Sequence, residues 1–235
     1  MSIFITFEGG EGSGKTTHVD ALQARLEEAG HPVLVVHEPG STALGQDVRE
    51  WLKRGVLSGE GTTELLLFTA ARSELVAGVI RPFLDEHDDG IVIADRYSDS
   101  TIAYQSYGRG LPIRDVRVVN GLAVQGLASD LTFLLDCPPE VGLERVGSFQ
   151  LRLPMEQAAA AGPRKRELEG TRFEQEPLEF HQRVRDGYLT LAKEEPDRWR
   201  VLDAMKSVGE IGDMAWRHVS EKLASLKAGV RARTR

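Results

Sequence analysis

The chain of 235 residues is long enough for one large α/β domain or two small ones. Charged residues make up 28% and hydrophobic residues 41% of the sequence, and the formal net charge of −7 argues against nonspecific nucleic-acid binding. No apolar stretch is long enough to span a membrane, and Cys137, the single cysteine, excludes an internal disulfide. These features predict a cytoplasmic protein that binds neither a membrane nor nucleic acid.

Residues 7–17 form the first motif, which fits the pattern Gly-x-x-x-x-Gly-Lys-Thr. The apolar run Ile3–Phe7 precedes it, and a helical pattern that ends at Gly30 follows it. Strand, glycine-rich loop and helix make a phosphate cradle, because glycines let successive N–H groups converge on one anion and the helix dipole adds to them. Lys15 is expected to reach the outer phosphates, and Thr16 to offer its hydroxyl to Mg²⁺. The predicted phosphate-binding loop consists of Gly9, Gly10, Glu11, Gly12, Ser13, Gly14, Lys15, Thr16 and Thr17.

Further short apolar runs predict the other strands of a sheet: Val33–Val36, Ile91–Ala94, Leu131–Leu135 and Trp199–Asp203. They alternate with helical patterns, which predicts an α/β P-loop NTPase fold: a five-stranded parallel sheet with helices on both faces, in a single domain over residues 1–235. Ligands of such sheets bind beyond the carboxyl ends of the strands. The loops expected there are 9–14, 37–42, 95–97 and 136–139.

Two segments fall outside this alternation. Residues 148–170 break the helical pattern and are predicted to form a lid, because long irregular segments in compact domains are usually functional or disordered. Its basic cluster, Arg164-Lys165-Arg166, is either a solvated loop or a set of mobile cations that close over a transferred phosphoryl group. The last helix is predicted from about Val208 to Leu226, and the tail, about residues 228–235, is predicted to fray.

Three charged residues allow a structural and a functional interpretation. Arg72 lies on the apolar stripe of a long helix predicted from Thr62 to about Glu86, where it either snorkels to the surface or meets a polar ligand in a cavity. Asp95 ends the third strand and is either a helix N-cap or a carboxylate near Mg²⁺, and the P-loop favours the metal. Arg96 either pairs with Asp95 or Glu38 or bonds two oxygens of a second phosphate group.

The sequence resembles the thymidylate kinase (dTMP kinase) family over essentially its whole length. The motifs that carry the resemblance are the P-loop with its preceding Phe7-Glu8, then Glu38-Pro39-Gly40, residues 67–72, residues 95–105, and Arg172-Phe173-Glu174. The resemblance implies transfer of the γ-phosphoryl group of ATP to dTMP, giving dTDP and ADP, with ATP on the P-loop and Mg²⁺ as the metal ion. It also implies a homodimer.

The resemblance assigns roles to side chains that come from separate motifs. Phe68 would stack on thymine and Arg72 would bond its edge, while Arg96 would hold the dTMP phosphate. Tyr104 would lie against the sugar, where a 2′-hydroxyl would clash, and Glu11 would face the 3′-hydroxyl. Thr16 and Asp95 would serve the metal ion. The whole implied dTMP site is Glu11, Glu38, Phe68, Arg72, Arg96, Ser100, Thr101, Tyr104 and Gln105.

The resemblance also places the catalytic positive charge. No basic residue stands between Gly9 and Gly14, although some family members carry one there, so by the family's logic the lid supplies the catalytic arginine. The implied catalytic residues are Lys15, Arg96, Arg164 and Arg166, with Arg152 a weaker candidate. The chain departs from the family at His37, where many members have arginine, at Thr171, where aspartate is usual, and in its longer lid.

Other functions remain open from the sequence. A kinase for another nucleotide or nucleoside, such as dUMP, UMP or a deoxynucleoside, would use the same fold, and Glu38 could then serve as the base for a nucleoside hydroxyl. A non-catalytic NTP sensor is the second alternative. A switch GTPase is excluded, because Asn120 is the only asparagine and Gly121 follows it, so no Asn-Lys-x-Asp guanine reader exists.

Overall fold

A computed structural model describes residues 2–54, 61–152 and 172–233 of the chain. All the predicted strands are confirmed, and most continue one residue further, into a polar residue at their carboxyl end. The strands are β1 (Ile3–Glu8), β2 (Val33–His37), β3 (Ile91–Asp95), β4 (Leu131–Asp136) and β5 (Trp199–Asp203).

Helices connect these strands. They are α1 (Lys15–Glu28), α2 (Ala43–Lys53), α3 (Gly61–Leu75), α4 (Arg81–Glu86), α5 (Ser98–Thr101), α6 (Ile113–Val124), α7 (Pro139–Arg152), α8 (Leu178–Glu194) and α9 (Val208–Arg233). A π-helical stretch, Val76–Ile80, joins α3 to α4, and a second, Ile102–Gly108, continues α5. A 3₁₀ turn, Arg172–Gln175, precedes α8. No helix in the described ranges is both long and apolar enough to cross a membrane.

The strands form one parallel sheet in the order β2-β3-β1-β4-β5. β1 is therefore central, which agrees with the burial of all its residues. The register aligns Phe7 with Asp95 and His37 with Asp95. Because parallel strands end at the same edge, the loops after β1, β2 and β3 meet there, as the sequence predicts.

The core lies on both faces of the sheet. Ile5 and Phe7 of β1 pack with α1 and α9 on one face. Phe4 points to the other face and packs with the end of α3 and its π-helical continuation. This alternation follows from the period of two along a strand, and a central strand covered on both faces is continuously apolar.

Two helices are longer than the sequence predicts. α7 continues to Arg152 and so takes up the start of the predicted lid, whereas residues 153–171 lie outside the described residues. α9 continues to Arg233 rather than ending near Leu226, so residues 228–233 of the tail belong to the helix. Ala, Lys and Arg are strong helix formers, and cations near a helix C-terminus interact well with its dipole.

Candidate active site

The carboxyl ends of β1, β2 and β3 border a cavity of about 470 Å³. Most of the predicted site residues line it: Glu11, Gly12, Gly14, Lys15, Thr16, Thr17, Glu38, Phe68, Arg72, Asp95, Arg96, Ser100, Thr101, Tyr104 and Gln105. Gly9, Gly10 and Ser13 do not line it but support Lys15 from behind. Arg164 and Arg166 lie outside the described residues.

The P-loop holds its lysine against its own backbone. Lys15 Nζ donates to the carbonyl oxygens of Gly10, at 2.9 Å, and Gly9, at 3.2 Å. Gly14 adopts the left-handed φ of 91° and caps α1, a conformation that glycine adopts without strain. Burial, and then the positive charge of Arg96, lower the pKa of Lys15 to about 8. The ammonium group therefore sits where a bound anion would stabilise its charge.

The P-loop touches α7 directly through two glycines. A Cβ on Gly12 would lie 2.0 Å from the carbonyl oxygen of Gly142, and a Cβ on Gly142 would lie 2.2 Å from the carbonyl oxygen of Glu11. Neither contact leaves room for a methyl group. The position of the phosphate loop thus depends on the approach of α7.

Thr16 and Asp95 lie together as a metal site requires. The Thr16 hydroxyl donates to Asp95 Oδ2 at 2.7 Å. The alternative interpretation of Asp95 as a helix cap is wrong, because the cap position of α5 is Tyr97. A hydroxyl and a carboxylate at the P-loop suit Mg²⁺, which takes few protein oxygens and completes its shell with phosphates and water. In the described part of the chain, no three His, Cys, Asp or Glu residues lie close enough to form a metal cluster.

Arg96 is held rigidly at the centre of the cavity. Its φ of 70° is left-handed, a strained backbone state for an arginine. Nη2 donates to Glu11 Oε1 at 3.0 Å, and Nη1 donates to the carbonyl oxygen of Gly9 at 3.0 Å and to the hydroxyls of Tyr188 and Ser100 at 3.2 and 3.3 Å. Its partner is therefore Glu11, and not Asp95 or Glu38. Within the described residues Nε makes no hydrogen bond, so this N–H can meet a ligand.

Behind Arg96 lies a buried carboxylate, Glu8, which is fully buried at the end of β1. It accepts hydrogen bonds from the backbone N–H of Tyr97 at 2.8 Å, the Ser100 hydroxyl at 2.5 Å and the Tyr188 hydroxyl at 3.1 Å. Burial, and then the negative charge of Asp99, raise the pKa of Glu8 to about 7. Glu8 thus fixes the two hydroxyls that contact Arg96. Ser100, one of the residues of the implied dTMP site, belongs to this network.

Glu11 is charged although its side chain is only 17% exposed. Burial alone would raise its pKa, but the charges of Arg96 and Lys15 outweigh burial and lower the pKa to about 2. The Tyr104 hydroxyl donates to Glu11 Oε1 at 2.6 Å. The two residues assigned to the sugar by resemblance are thereby brought into contact.

Arg72 is 2% exposed, so the snorkelling interpretation is wrong. It forms a buried ion pair with Glu38 through Nε, at 2.7 Å, and Nη2. Nη1 donates to Thr101 Oγ1 at 2.8 Å and to Asn120 Oδ1 at 2.6 Å, and Nη2 also reaches the carbonyl oxygen of Tyr97 at 3.2 Å. All five N–H groups of the guanidinium therefore have acceptors inside the protein. Burial raises the pKa of Glu38, although the charge of Arg72 opposes this.

Aromatic rings form the end of the cavity near Arg72. The ring centroids of Phe68 and Phe173 are 6.1 Å apart, and Tyr104 meets Phe173 edge to face at 5.2 Å. Gln105 is 1% exposed and lines the same region. This end of the cavity offers flat apolar faces together with a few polar edges, as a site for an aromatic base would.

Some lining residues were missed by sequence reasoning: Arg49, Leu52, Arg145, Val146 and, as pocket walls, Phe173 and Glu174. Arg49 lies between Val48 and Leu52, whose side chains are buried, so the signal that singled out Arg72, a cation on an apolar stripe, applied to it as well. Arg145 borders the P-loop, where its Nη1 lies 3.5 Å from the carbonyl oxygen of Gly12. Nothing in the sequence around Arg145 distinguishes it from a surface arginine.

The parallel sheet, the P-loop on its central strand and a second, base-sized compartment in the same cavity define a P-loop nucleoside monophosphate kinase. A family model for thymidylate kinase matches residues 7–215. The chain belongs to the thymidylate kinase family, and it is an ATP-dependent phosphotransferase.

Individual relatives agree with this assignment. A thymidylate kinase of Thermomicrobium roseum is 48% identical over 224 residues, covering 94% of this chain and 96% of the relative. A thymidylate kinase of Roseiflexus castenholzii is 43% identical over 231 residues, covering 96% of each chain. The crystal structure of thymidylate kinase from Ehrlichia chaffeensis superposes with a TM-score of 0.69 at 30% identity, covering 93% of this chain and 98% of that one.

Proposed function

We propose that the cavity binds ATP on the P-loop and dTMP in the aromatic compartment, and that the protein transfers the γ-phosphoryl group of ATP to dTMP. The observation that carries this proposal is the position of Arg96, which donates to Gly9 and Glu11 of the P-loop and also lies over the ring of Tyr104, 4.9 Å from its centroid. A guanidinium between the two compartments suits the phosphate of an acceptor nucleotide, because its fork can bond two oxygens.

The acceptor base lies between Phe68 and the opposite wall of the compartment. Phe68 stacks on thymine, and Arg72 reaches the thymine edge by exchanging one of its protein partners for the base. Thr101 is one such partner, and it lines the cavity. Gln105 lies along the same edge. Glu38 holds Arg72 in place through their buried ion pair.

The sugar of dTMP lies over Tyr104 and Glu11. The hydrogen bond of 2.6 Å between their side chains fixes the Tyr104 ring, so that a ribose 2′-hydroxyl would clash with it. Glu11 is ionised and accepts only, and it therefore suits the 3′-hydroxyl as a donor.

The reaction needs positioning rather than a base. An oxygen of the dTMP phosphate forms a bond to the γ-phosphorus while the bond to the β–γ bridging oxygen breaks, and that electron pair leaves with ADP. The attacking oxygen is already anionic, so no proton has to be removed. Lys15 and Arg96 stabilise the charge that spreads over the transferred oxygens, and Arg164 and Arg166 of the lid are expected to add to them.

Thr16 and Asp95 would hold a magnesium ion. When bound, the ion would neutralise phosphate charge. The short contact between the two side chains supports this, since two oxygens 2.7 Å apart can join one coordination shell. In this arrangement Thr16 and Asp95 would hold the metal, and Lys15 would contact the phosphates of ATP.

A homodimer and a cytoplasmic location complete the proposal. Leu66 of α3 and Val118 and Leu122 of α6 are 54%, 60% and 75% exposed, although they are large and apolar. α3 and α6 pack side by side, so these residues share one face. The reduced Cys137 suits a reducing compartment.

The test of this function is turnover with a panel of acceptors. The protein is incubated with ATP, Mg²⁺ and dTMP, dUMP, UMP or thymidine, and ADP formation is measured. We expect dTMP to be the best acceptor and UMP to be poor, because Tyr104 excludes the 2′-hydroxyl. Comparable turnover of UMP would refute the role of Tyr104. ATP binding without turnover of any acceptor would favour a sensor.

A further inference from the structure

The amide of Gln105 has one orientation in the base compartment. Its Nε2 donates to Glu64 Oε2 at 3.4 Å. An ionised carboxylate only accepts hydrogen bonds, so the amide nitrogen has to face Glu64. The nitrogen and oxygen of an amide point in different directions from the same carbon atom. The carbonyl oxygen of Gln105 is therefore left as the group that a ligand in the cavity meets.

Glu64 is held in turn by Arg109. The Glu64 side chain is completely buried, and Arg109 Nε and Nη2 donate to its two oxygens at 2.9 and 3.0 Å. This bidentate pairing matches the fork of the guanidinium to both carboxylate oxygens and fixes the carboxylate plane. The ion pair with Glu64 gives a role to Arg109, which lies between two glycines. None of the catalytic roles above involves Arg109.

Arg109 cannot easily turn away from this pair. Its Nη1 donates to Glu176 Oε1 at 2.6 Å, beyond the 3₁₀ turn. Its guanidinium also lies over the rings of Phe180 and Phe173, at 4.9 and 5.4 Å from their centroids. In the chain of contacts from Glu176 to Gln105, the carboxylates of Glu176 and Glu64 therefore accept hydrogen bonds. The guanidinium of Arg109 and the amide nitrogen of Gln105 donate them.

We propose that Glu64 and Arg109 are positioning residues that fix the Gln105 amide with its oxygen towards the base, and so make the site select keto over amino pyrimidines. This inference rests on the proposed function, which places Gln105 and Arg72 along the base. Arg72 brings donors to that edge and Gln105 brings an acceptor.

The pattern fits one kind of pyrimidine edge. Thymine and uracil present an accepting 4-oxygen and a donating N3–H, so both bonds form. Cytosine presents a donating 4-amino group and an accepting N3, so two donors meet at one position and two acceptors at the other. Unpaired buried polar groups carry a desolvation penalty, and rejection of this kind is strong.

The test compares the affinities of dTMP, dUMP and dCMP for the protein and for Glu64→Gln, measured by calorimetry with the full chain. The amide introduced by this substitution can both donate and accept, so the amide of Gln105 is free to reverse. We expect the ratio of dTMP to dCMP affinity to fall by about tenfold or more. The ratio of dTMP to dUMP affinity stays the same, because those bases differ only by a methyl group.

Two further variants keep the test decisive. Arg109→Lys retains the charge but loses the bidentate geometry, so it lowers the same ratio if Glu64→Gln does not fold. Asp99→Asn is the matched control, because Asp99 is also a buried carboxylate in a bidentate pair, with Arg198 at 2.7 and 2.8 Å. It leaves the dTMP to dCMP ratio unchanged.

Failure of the positioning role and failure of the proposed kinase function give different results. If Glu64→Gln and Arg109→Lys weaken all three nucleotides equally, the two residues only support the fold and the inference is wrong. If the unaltered protein does not bind dTMP in preference to dCMP at all, the proposed function itself fails.

Discussion

Arg72, which is buried, and Arg96, which is half-buried, serve the cavity in different ways. Arg72 directs all its N–H groups to protein acceptors, so its position is set before any ligand arrives. Arg96 keeps Nε available and is braced by Tyr188, Ser100 and Glu11. Arg72 is therefore a preorganised part of the cavity wall, whereas Arg96 has an N–H group available to bind an anion.

The raised pKa of Glu8 predicts that the free energy of unfolding depends on pH. Its pKa is raised from 4.5 to about 7 by burial and by Asp99, so between these values the folded protein holds a proton that the unfolded chain has released. The contribution of Glu8 to the free energy of unfolding therefore falls as the pH rises from about 4.5 to 7. We expect the loss to be on the order of 1–3 kcal/mol, measured by urea unfolding at pH 5 and pH 8.

The matched comparison for this prediction is Glu8→Gln, which keeps the shape but cannot titrate. Other groups titrate equally in both proteins, so the difference between the two pH profiles isolates Glu8. Profiles that run parallel between pH 5 and pH 8 would mean that Glu8 is not the titrating group.

At the scale of single residues, the sequence predicted which side chains belong to the site better than it predicted which side chains they contact. Lys15 and Thr16 were singled out because their motif has a fixed spacing, Asp95 because it ends an apolar strand, and Arg72 because a cation broke an apolar stripe. The pairing of Arg96 with Glu11 could not be read, because it depends on a left-handed backbone turn after β3. Three-dimensional networks of this kind leave no periodic signal.

Among the elements, the contact between the P-loop and α7 controls the ATP side. We predict that Gly142→Ala raises the KM for ATP by about tenfold or more, because the new methyl group meets the carbonyl oxygen of Glu11 and displaces the loop. Steady-state kinetics with ATP varied at saturating dTMP would measure this. The substitution also lowers the melting temperature.

Gly147→Ala is the control on the same helix. A Cβ at Gly147 meets nothing within 4 Å, so this variant keeps the KM for ATP. It should raise stability by up to about 1 kcal/mol, since alanine replaces glycine within a helix. Equal effects of the two substitutions on ATP would show that the close contact is unimportant.

The elements themselves were largely predictable from the sequence. Short apolar runs bounded by polar residues indicated each strand, because a sheet covered on both faces demands such runs. The ends of α7 and α9 were missed, since each helix continues past a glycine, Gly147 or Gly229, where the sequence favours a helix end. The π-helical stretches, Val76–Ile80 and Ile102–Gly108, were also missed, because each is too short for its longer period to show in the sequence.

For the whole molecule we predict a dimer. Light scattering at micromolar concentration should give twice the chain mass of 25.9 kDa. Leu122→Glu should give a monomer, because it places a charge in the apolar face of α3 and α6. Val208→Glu is the control, since Val208 is 54% exposed but begins α9, across the sheet from that face. A monomer in the unaltered protein would contradict the prediction.

The central place of β1 has a consequence for the making of the protein. β1 leaves the ribosome first, yet its neighbours in the sheet, β3 and β4, end only at Asp95 and Asp136. At about 5–20 residues per second, the second of these arrives roughly ten seconds later. During that time at least one edge of this largely apolar strand has no partner for its backbone. The strand that leads into the phosphate loop is thus exposed to mispairing while the chain is being made.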